Sequence, residues 1–167
     1  MGHREDIARL IPALRRFAHA LVLHDDARTG DVADDLVQRC VAAALRAGTQ
    51  TSPDSLRLWL YATLVNLNHA RLRTDATLSR NAVPQPRSQG VTQSLLDVSV
   101  EDREALLLVV LEGFTYVQAS EILGLTRATL LCRLARARIV LGQHLDAALP
   151  FEARRHLRQP THLRLVK

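Results

Sequence analysis

The chain has 167 residues, 47% apolar but only 4% aromatic, and its 22 Lys+Arg against 17 Asp+Glu leave a formal charge of +5. That length predicts one domain or two very small ones. Two cysteines are too few for a disulfide scaffold or a Cys-rich zinc site, no apolar run approaches the length of a membrane span, and the N-terminus lacks the unbroken apolar stretch of a signal peptide. The expectation is a reduced, cytosolic protein, without a membrane segment or a cofactor. Its apolar content is mostly Leu, Ala and Val, which favours an all-α fold over a β-sandwich. All basic residues but Lys167 are arginine. That bias suits bidentate phosphate contacts, and it follows equally from a gene's base composition.

Residues 5–24 place Ile7, Leu10, Ile11, Leu14, Phe17, Ala18, Leu21 and Val22 on one helical stripe. A second helix follows Gly30-Asp31, with Val32, Leu36, Val37, Cys40, Val41, Ala44 and Leu45 as its stripe and Gly48 as its stop. Ser52-Pro53-Asp54 starts a third: Ser52 caps, Pro53 suits the first position, and Asp54 favours the dipole. Its apolar side runs Leu56, Leu60, Leu64 and Leu67, and it ends at Arg71-Leu-Arg73. These three helices predict a self-contained bundle over residues 1–73. Residues 74–98 are polar, contain Pro84, Pro86 and Gly90, and show no periodicity, as expected of a flexible interdomain linker.

A second domain is predicted over 99–146, with a basic tail over 147–167. Ser99 to Asp102 and Thr115 to Gln118 both read as helix-capping patterns. Residues 105–111 are wholly apolar and stop at Glu112-Gly113. A short helix over 115–123, a turn through Gly124 and a helix from Arg127 to about Asp146 make a helix-turn-helix pattern. Leu130, Leu134, Ala137 and Leu141 share the packing face of the last helix, expected to meet Tyr116, Ala119 and Leu123. Residues 127–138 carry four arginines and no acid, whereas residues 101–121 carry five acids and one arginine. An acidic helix beside a basic one suggests a surface oriented towards phosphate. Thr126, Arg127 and Thr129 lie where a recognition helix enters the major groove, and Arg133, Arg136 and Arg138 flank them. The bland reading of the same pattern is an αα-hairpin with a solvated arginine face.

Residues 101–138, with Glu101-Asp-Arg-Glu104, Leu111-Glu-Gly-Phe-Thr-Tyr116, Glu121-Ile-Leu-Gly-Leu125 and Arg133-Leu-Ala-Arg-Ala-Arg138, resemble region 4 of bacterial extracytoplasmic-function sigma factors of the sigma-70 family. The N-terminal bundle is similar to region 2 of that family. Asp34-Asp-Leu-Val-Gln38 resembles its core-polymerase motif, which implies Asp34, Asp35, Leu36 and Gln38 as contacts with the β′ clamp helices. Ser55-Leu-Arg-Leu-Trp-Leu60 with Asn66-Leu67 and Arg71-Leu-Arg73 resembles the segment that melts the −10 element, which implies Trp59, Asn66, Arg71 and Arg73 as DNA contacts. Helical periodicity alone reads Trp59 as a core residue. The resemblance implies core RNA polymerase, including its β flap, promoter DNA and an anti-sigma factor as partners, with no catalysis by the chain itself. The chain departs from the family pattern at Arg39-Cys40, Val65, Ala70, Ser120 and Leu131-Cys132. Leu131 has no hydrogen bond to offer a base edge.

Other chemistry is absent from the sequence. The seven histidines show no metal-binding spacing, and there is no phosphate-binding glycine loop. Cys40 and Cys132 both fall within helical patterns and read as packing residues. Asp34 and Asp35 are adjacent on a helix and point apart, unlike a catalytic pair. Three functions stay in view: a promoter-directing sigma factor, a sigma-like decoy that captures an anti-sigma factor, and a plain helix-turn-helix repressor, which would leave residues 5–73 idle.

Overall fold

The computed structural model describes residues 3–23, 29–48, 52–78 and 91–148. Seven α-helices account for almost all of them: α1 (His3–Leu21), α2 (Thr29–Ala47), α3 (Pro53–Leu78), α4 (Val91–Leu96), α5 (Val100–Leu106), α6 (Tyr116–Leu123) and α7 (Arg127–Ala148). No strand occurs among the described residues, so the all-α expectation holds. The middle of the expected linker and residues 149–167 of the expected tail lie outside the described residues.

In the first unit α1, α2 and α3 bury Leu14, Phe17, Leu21, Leu36, Cys40, Leu60 and Leu64 completely. The N-cap of α3 is formed as expected, with Ser55 N donating to Ser52 Oγ at 3.3 Å. α3 runs past Arg73 to Leu78, further than the sequence reading placed it. Nothing between them breaks a helix, and Arg71 pairs with Asp75 one turn on, at 3.0 Å. α4 likewise falls inside the stretch expected to be a linker.

The second unit starts at Ser99, whose Oγ accepts from Asp102 N at 3.2 Å. α5 widens into a single π-helical segment, Leu107–Leu111, closed by Glu112 N on the Leu107 carbonyl at 3.1 Å. Gly113 then takes a φ of 69°, which L side chains rarely adopt, and turns the chain towards Phe114. Thr115 and Gln118 form the reciprocal capping box predicted from their spacing. α6 ends at Gly124, φ 62°, with Leu125 N on the Ser120 carbonyl at 2.9 Å. Thr126 caps α7 through Thr129 N at 3.2 Å. Leu130, Leu134 and Ala137 are buried where α7 packs on α5 and α6, and Leu141 is partly buried.

The two units do not keep separate interiors. Phe17 of α1, Tyr61 of α3 and Phe114, just before α6, meet edge to face with centroids 5.2 Å and 4.9 Å apart. A continuous buried core therefore crosses from the first three helices to the last three. On the same seam His69 Nε2 of α3 lies 2.7 Å from Glu104 Oε1 of α5, whose side chain has no solvent exposure. The second oxygen, Oε2, has no hydrogen-bond partner.

Burial holds the Glu104 carboxyl above its ordinary value, opposed by His69 and Arg133 and reinforced slightly by Glu101. A carboxyl with a raised folded pKa binds more protons folded than unfolded. Its stabilising contribution is full below the unfolded value, about pH 4.3, and is lost as pH rises through the folded value. Glu104→Gln keeps the shape and removes the titration. Urea midpoints from pH 4 to pH 8 should fall with pH in the parent more steeply than in the variant, and the variant should match or exceed the parent at neutral pH. A variant less stable than the parent at neutral pH and no flatter would mean that the His69 pair outweighs burial.

Candidate nucleic-acid interface

On α7 the turn through Gly124 and the Thr126 cap set the first turn at the molecular surface. Thr126, Arg127 and Thr129 are all exposed there. The two threonine hydroxyls bond each other at 2.8 Å, which fixes their positions for contact with a phosphate or base edge. Arg138 is exposed further along. Leu131, 43% exposed, sits on the same outer surface.

Two of the arginines expected to flank this surface also bond to α5. Arg136 grips Asp102 of α5 with both arms of its guanidinium, Nη2–Oδ1 at 2.7 Å and Nε–Oδ2 at 2.9 Å. Asp102 is nearly buried, so this fork ties the recognition helix to α5. The pairing raises the Arg136 pKa, chiefly through that hydrogen bond. Arg133 is half-buried and donates to the Glu101 carbonyl at 3.3 Å. Arg136, with a side chain 59% exposed, and Arg138 both stand at the surface, while Arg133 and Arg136 also brace the fold. The absence of acids between 127 and 138 did not reveal this, because the partners lie more than 30 residues upstream. Cys132 is exposed, contrary to its reading as a packing residue. Cys40 is buried as expected, donates to the Leu60 carbonyl at 3.3 Å, and has its thiol pushed up to about 12 by burial.

α3 carries a second surface. Trp59 is 40% exposed, so the core reading from periodicity does not hold. Asn66 and Arg73 are also exposed. The three are spaced seven residues apart and so share one helix face, over about 21 Å at 1.5 Å per residue. An aromatic ring, an amide and a cation in line suit an unpaired strand, whose bases stack and whose phosphates attract charge. Arg71 is turned away from this line: it donates to Asp75 Oδ2 at 3.0 Å and to Asn68 Oδ1 at 3.2 Å.

On α2 the residues Asp31, Asp35, Gln38, Ala42 and Leu45 are exposed and recur at helical spacing. Asp34 beside them pairs with Arg15 of α1 at 3.2 Å, and Asp35 with Arg39 at 3.5 Å. Leu36 is fully buried. It supports this face from beneath and does not touch a partner directly, because one residue past Asp35 the helix has turned inward. Leu45, read as core, is 46% exposed, one position beyond buried Ala44. Sequence reasoning missed it for that one-residue offset.

It also missed a buried polar cluster between the units. Glu112 Oε1 accepts from Arg16 Nη2 at 2.9 Å and Nε at 3.3 Å, and Oε2 accepts from Tyr61 Oη at 2.5 Å. Burial, then this hydrogen bond, push the Tyr61 hydroxyl pKa up. Arg57 donates to the Glu112 carbonyl and lies 3.9 Å above the Phe114 ring. Arg16 and Glu112 are 96 residues apart, so no local pattern links them. No group of residues suited to hold a metal ion occurs among the described residues. No helix among them is long and apolar enough to cross a membrane.

Comparison with known proteins covers both units. Residues 7–65 match the family described as the Sigma2 domain of PhyR, and residues 91–141 match Sigma-70, region 4. The chain is 33% identical to the ECF RNA polymerase sigma factor EcfG of Rhodopseudomonas palustris (strain TIE-1) over 165 residues, 89% of this chain and 88% of that protein. Among solved structures, the sigma factor RpoE in complex with the anti-sigma factor NepR, from Bartonella quintana, aligns with a TM-score of 0.68 at 26% identity, over 87% of this chain and 98% of that one. CnrH in complex with the cytosolic domain of CnrY aligns with a TM-score of 0.64 at 26% identity, over 88% and 89%.

The pairing of Arg136 with Asp102 separates two arginines only two residues apart. Arg136→Ala leaves a nearly buried carboxylate without its partner and should lower the thermal midpoint of the full chain. Arg138→Ala changes an exposed side chain and should leave the midpoint within experimental error. Equal midpoints in a differential scanning experiment would show that the fork contributes nothing to stability.

Proposed function

Since this chain belongs to the extracytoplasmic-function RNA polymerase sigma factors, we propose that its three exposed surfaces divide the work of promoter recognition. The chain is a sigma factor, which directs core RNA polymerase to promoters. We assign the outer face of α2, through Asp35 and Gln38, to the β′ clamp helices, with Leu45 extending it. The Trp59–Asn66–Arg73 line takes the opened −10 strand. The first turn of α7, with Arg127 and Thr129, takes the −35 element, and Arg138 takes adjacent phosphate. The observation that carries this reading is that both DNA-facing surfaces are solvent-exposed on one chain, on α3 and on α7, in the order the family uses.

In this scheme the chain catalyses nothing; nucleotide addition belongs to the polymerase. It works in the cytoplasm, and region 4 also meets the β flap. An anti-sigma protein is a further partner, supported by the two solved relatives, each of which is held by another protein. The decoy alternative has less support, because a relative that spans most of this chain is itself a sigma factor.

Run-off transcription with purified core polymerase tests the proposal: promoter-specific transcripts support it, and anti-sigma binding without any transcript would favour the decoy. Asp35→Arg reverses an exposed charge and should weaken core binding by a few kcal/mol with helicity unchanged; an unaltered titration would remove the α2 assignment. Arg127→Ala should cost about 1–3 kcal/mol at one −35 position. Arg138→Ala should weaken binding to all sequences and lower the log–log salt slope by about 0.9. Fluorescence anisotropy at several salt concentrations reads both, and an unchanged slope would make Arg138 a solvated side chain only.

A further inference from the structure

We propose that Leu131 is a specificity residue of α7 that reads the 5-methyl group of a thymine in the major groove of the −35 element, an assignment that rests on the sigma-factor reading of this helix. Leu131 is 43% exposed, although its neighbour Leu130 is fully buried. Residues four and eleven positions on return to nearly the same side of a helix, so Arg127, Leu131 and Arg138 fall within about 40° of one another around α7. All three are exposed. A duplex that meets Arg127 and Arg138 therefore meets Leu131 between them, about 6 Å along the axis from the first and about 10 Å from the second.

What such a side chain recognises follows from what it lacks. Leucine neither donates nor accepts a hydrogen bond. Pressed against a purine nitrogen, a carbonyl oxygen or an exocyclic amine, it strips water from that group and returns nothing. The thymine methyl is the one apolar group that the ordinary base pairs present in the major groove, and apolar contact with it is a form of direct readout. Ala128 and Ala135, three residues before Leu131 and four after it, are exposed beside it. They supply no hydrogen bond to a base that Leu131 covers, and their short side chains let the helix come close to it.

Charge on the same surface favours DNA over an apolar protein partner. Arg127 and Arg138 lie to either side of Leu131 along the helix, and no acid occurs between residues 127 and 138. An apolar groove on another protein leaves those cations unpaired, whereas phosphates line both edges of the major groove. α7 is also fixed before and after Leu131, by the Thr126 cap and by the fork from Arg136 to Asp102. A contact as small as one methyl group discriminates only from a backbone held in this way.

The test uses holoenzyme assembled from the full chain and purified core polymerase. Duplexes that it enriches from a randomised pool are remade with each thymine in turn replaced by deoxyuridine, which removes the methyl and keeps the base pair. Burial of one methyl corresponds to about a fourfold change in affinity. At one thymine, within about two base pairs of the position where Arg127→Ala relaxes discrimination, deoxyuridine should weaken binding by about that factor. Leu131→Ala should bind the two duplexes equally, with its circular dichroism unchanged. Leu131→Met, still apolar and of similar size, should keep the difference, and Arg138→Ala should weaken both duplexes while keeping their ratio. Tolerance of deoxyuridine at every position overturns the proposal. So does a difference that survives in Leu131→Ala, which leaves Leu131 to a protein partner. Promoter-specific run-off transcripts alongside either result keep the sigma-factor reading, so that the methyl contact alone fails. A methyl effect lost in Leu131→Ala, without any promoter-specific transcript, retains the contact and rejects the sigma-factor reading.

Discussion

A carboxylate buried at the seam, Glu112, constrains the rest of the structure because it is stable there only while charges from two other helices surround it. The π-helical segment before it makes this placement possible. One extra residue in the turn rotates Glu112 inward, and Gly113 at positive φ reverses the chain so that Phe114 follows it to the Tyr61 ring. A regular α-helical turn would have shifted Glu112 by about 100° and left the carboxylate facing water. The orientation of α6, and through Gly124 that of α7, follows from that one turn.

Arginine is the chain's main source of positive charge, and the fold divides it between two tasks. Arg16, Arg57, Arg71 and Arg136 bond to carboxylates, carbonyls or an amide of the protein, Arg16 and Arg136 while still more than half exposed, and Arg73, Arg127 and Arg138 are exposed as well. A planar guanidinium suits both tasks, since its fork matches a carboxylate as well as a phosphate. A basic composition by itself therefore overstates the surface available to DNA. In the proposed reading the net positive charge steers association, and only part of the guanidinium population meets DNA.

Much of the architecture was legible because it is local. The caps at Ser52, Ser99 and Thr115, the turn at Gly124, and the buried faces of α1 and α7 follow from residues within four positions of one another. What failed was either one residue out of phase or long-range. Leu45, Trp59 and Cys132 were read as packing residues because they are apolar and lie within helical patterns, yet each sits at the edge of its face, where a 100° step exposes it. The pairs Arg16–Glu112, His69–Glu104 and Arg136–Asp102 join positions 34 to 96 residues apart, and sequence periodicity carries no information at that range. The end of α3 was misplaced for a subtler reason: a polar composition was read as a stop, although no proline or glycine interrupts the helix and an ion pair continues it.

The packing of the two units leaves the surfaces proposed to face DNA uncovered. Trp59, Asn66 and Arg73 on α3 and Arg127 on α7 are exposed while the two units share one buried core. The residues proposed to meet DNA therefore owe their exposure to the faces of α3 and α7 on which they lie, and the buried core that runs from the first three helices to the last three fixes how those faces are placed.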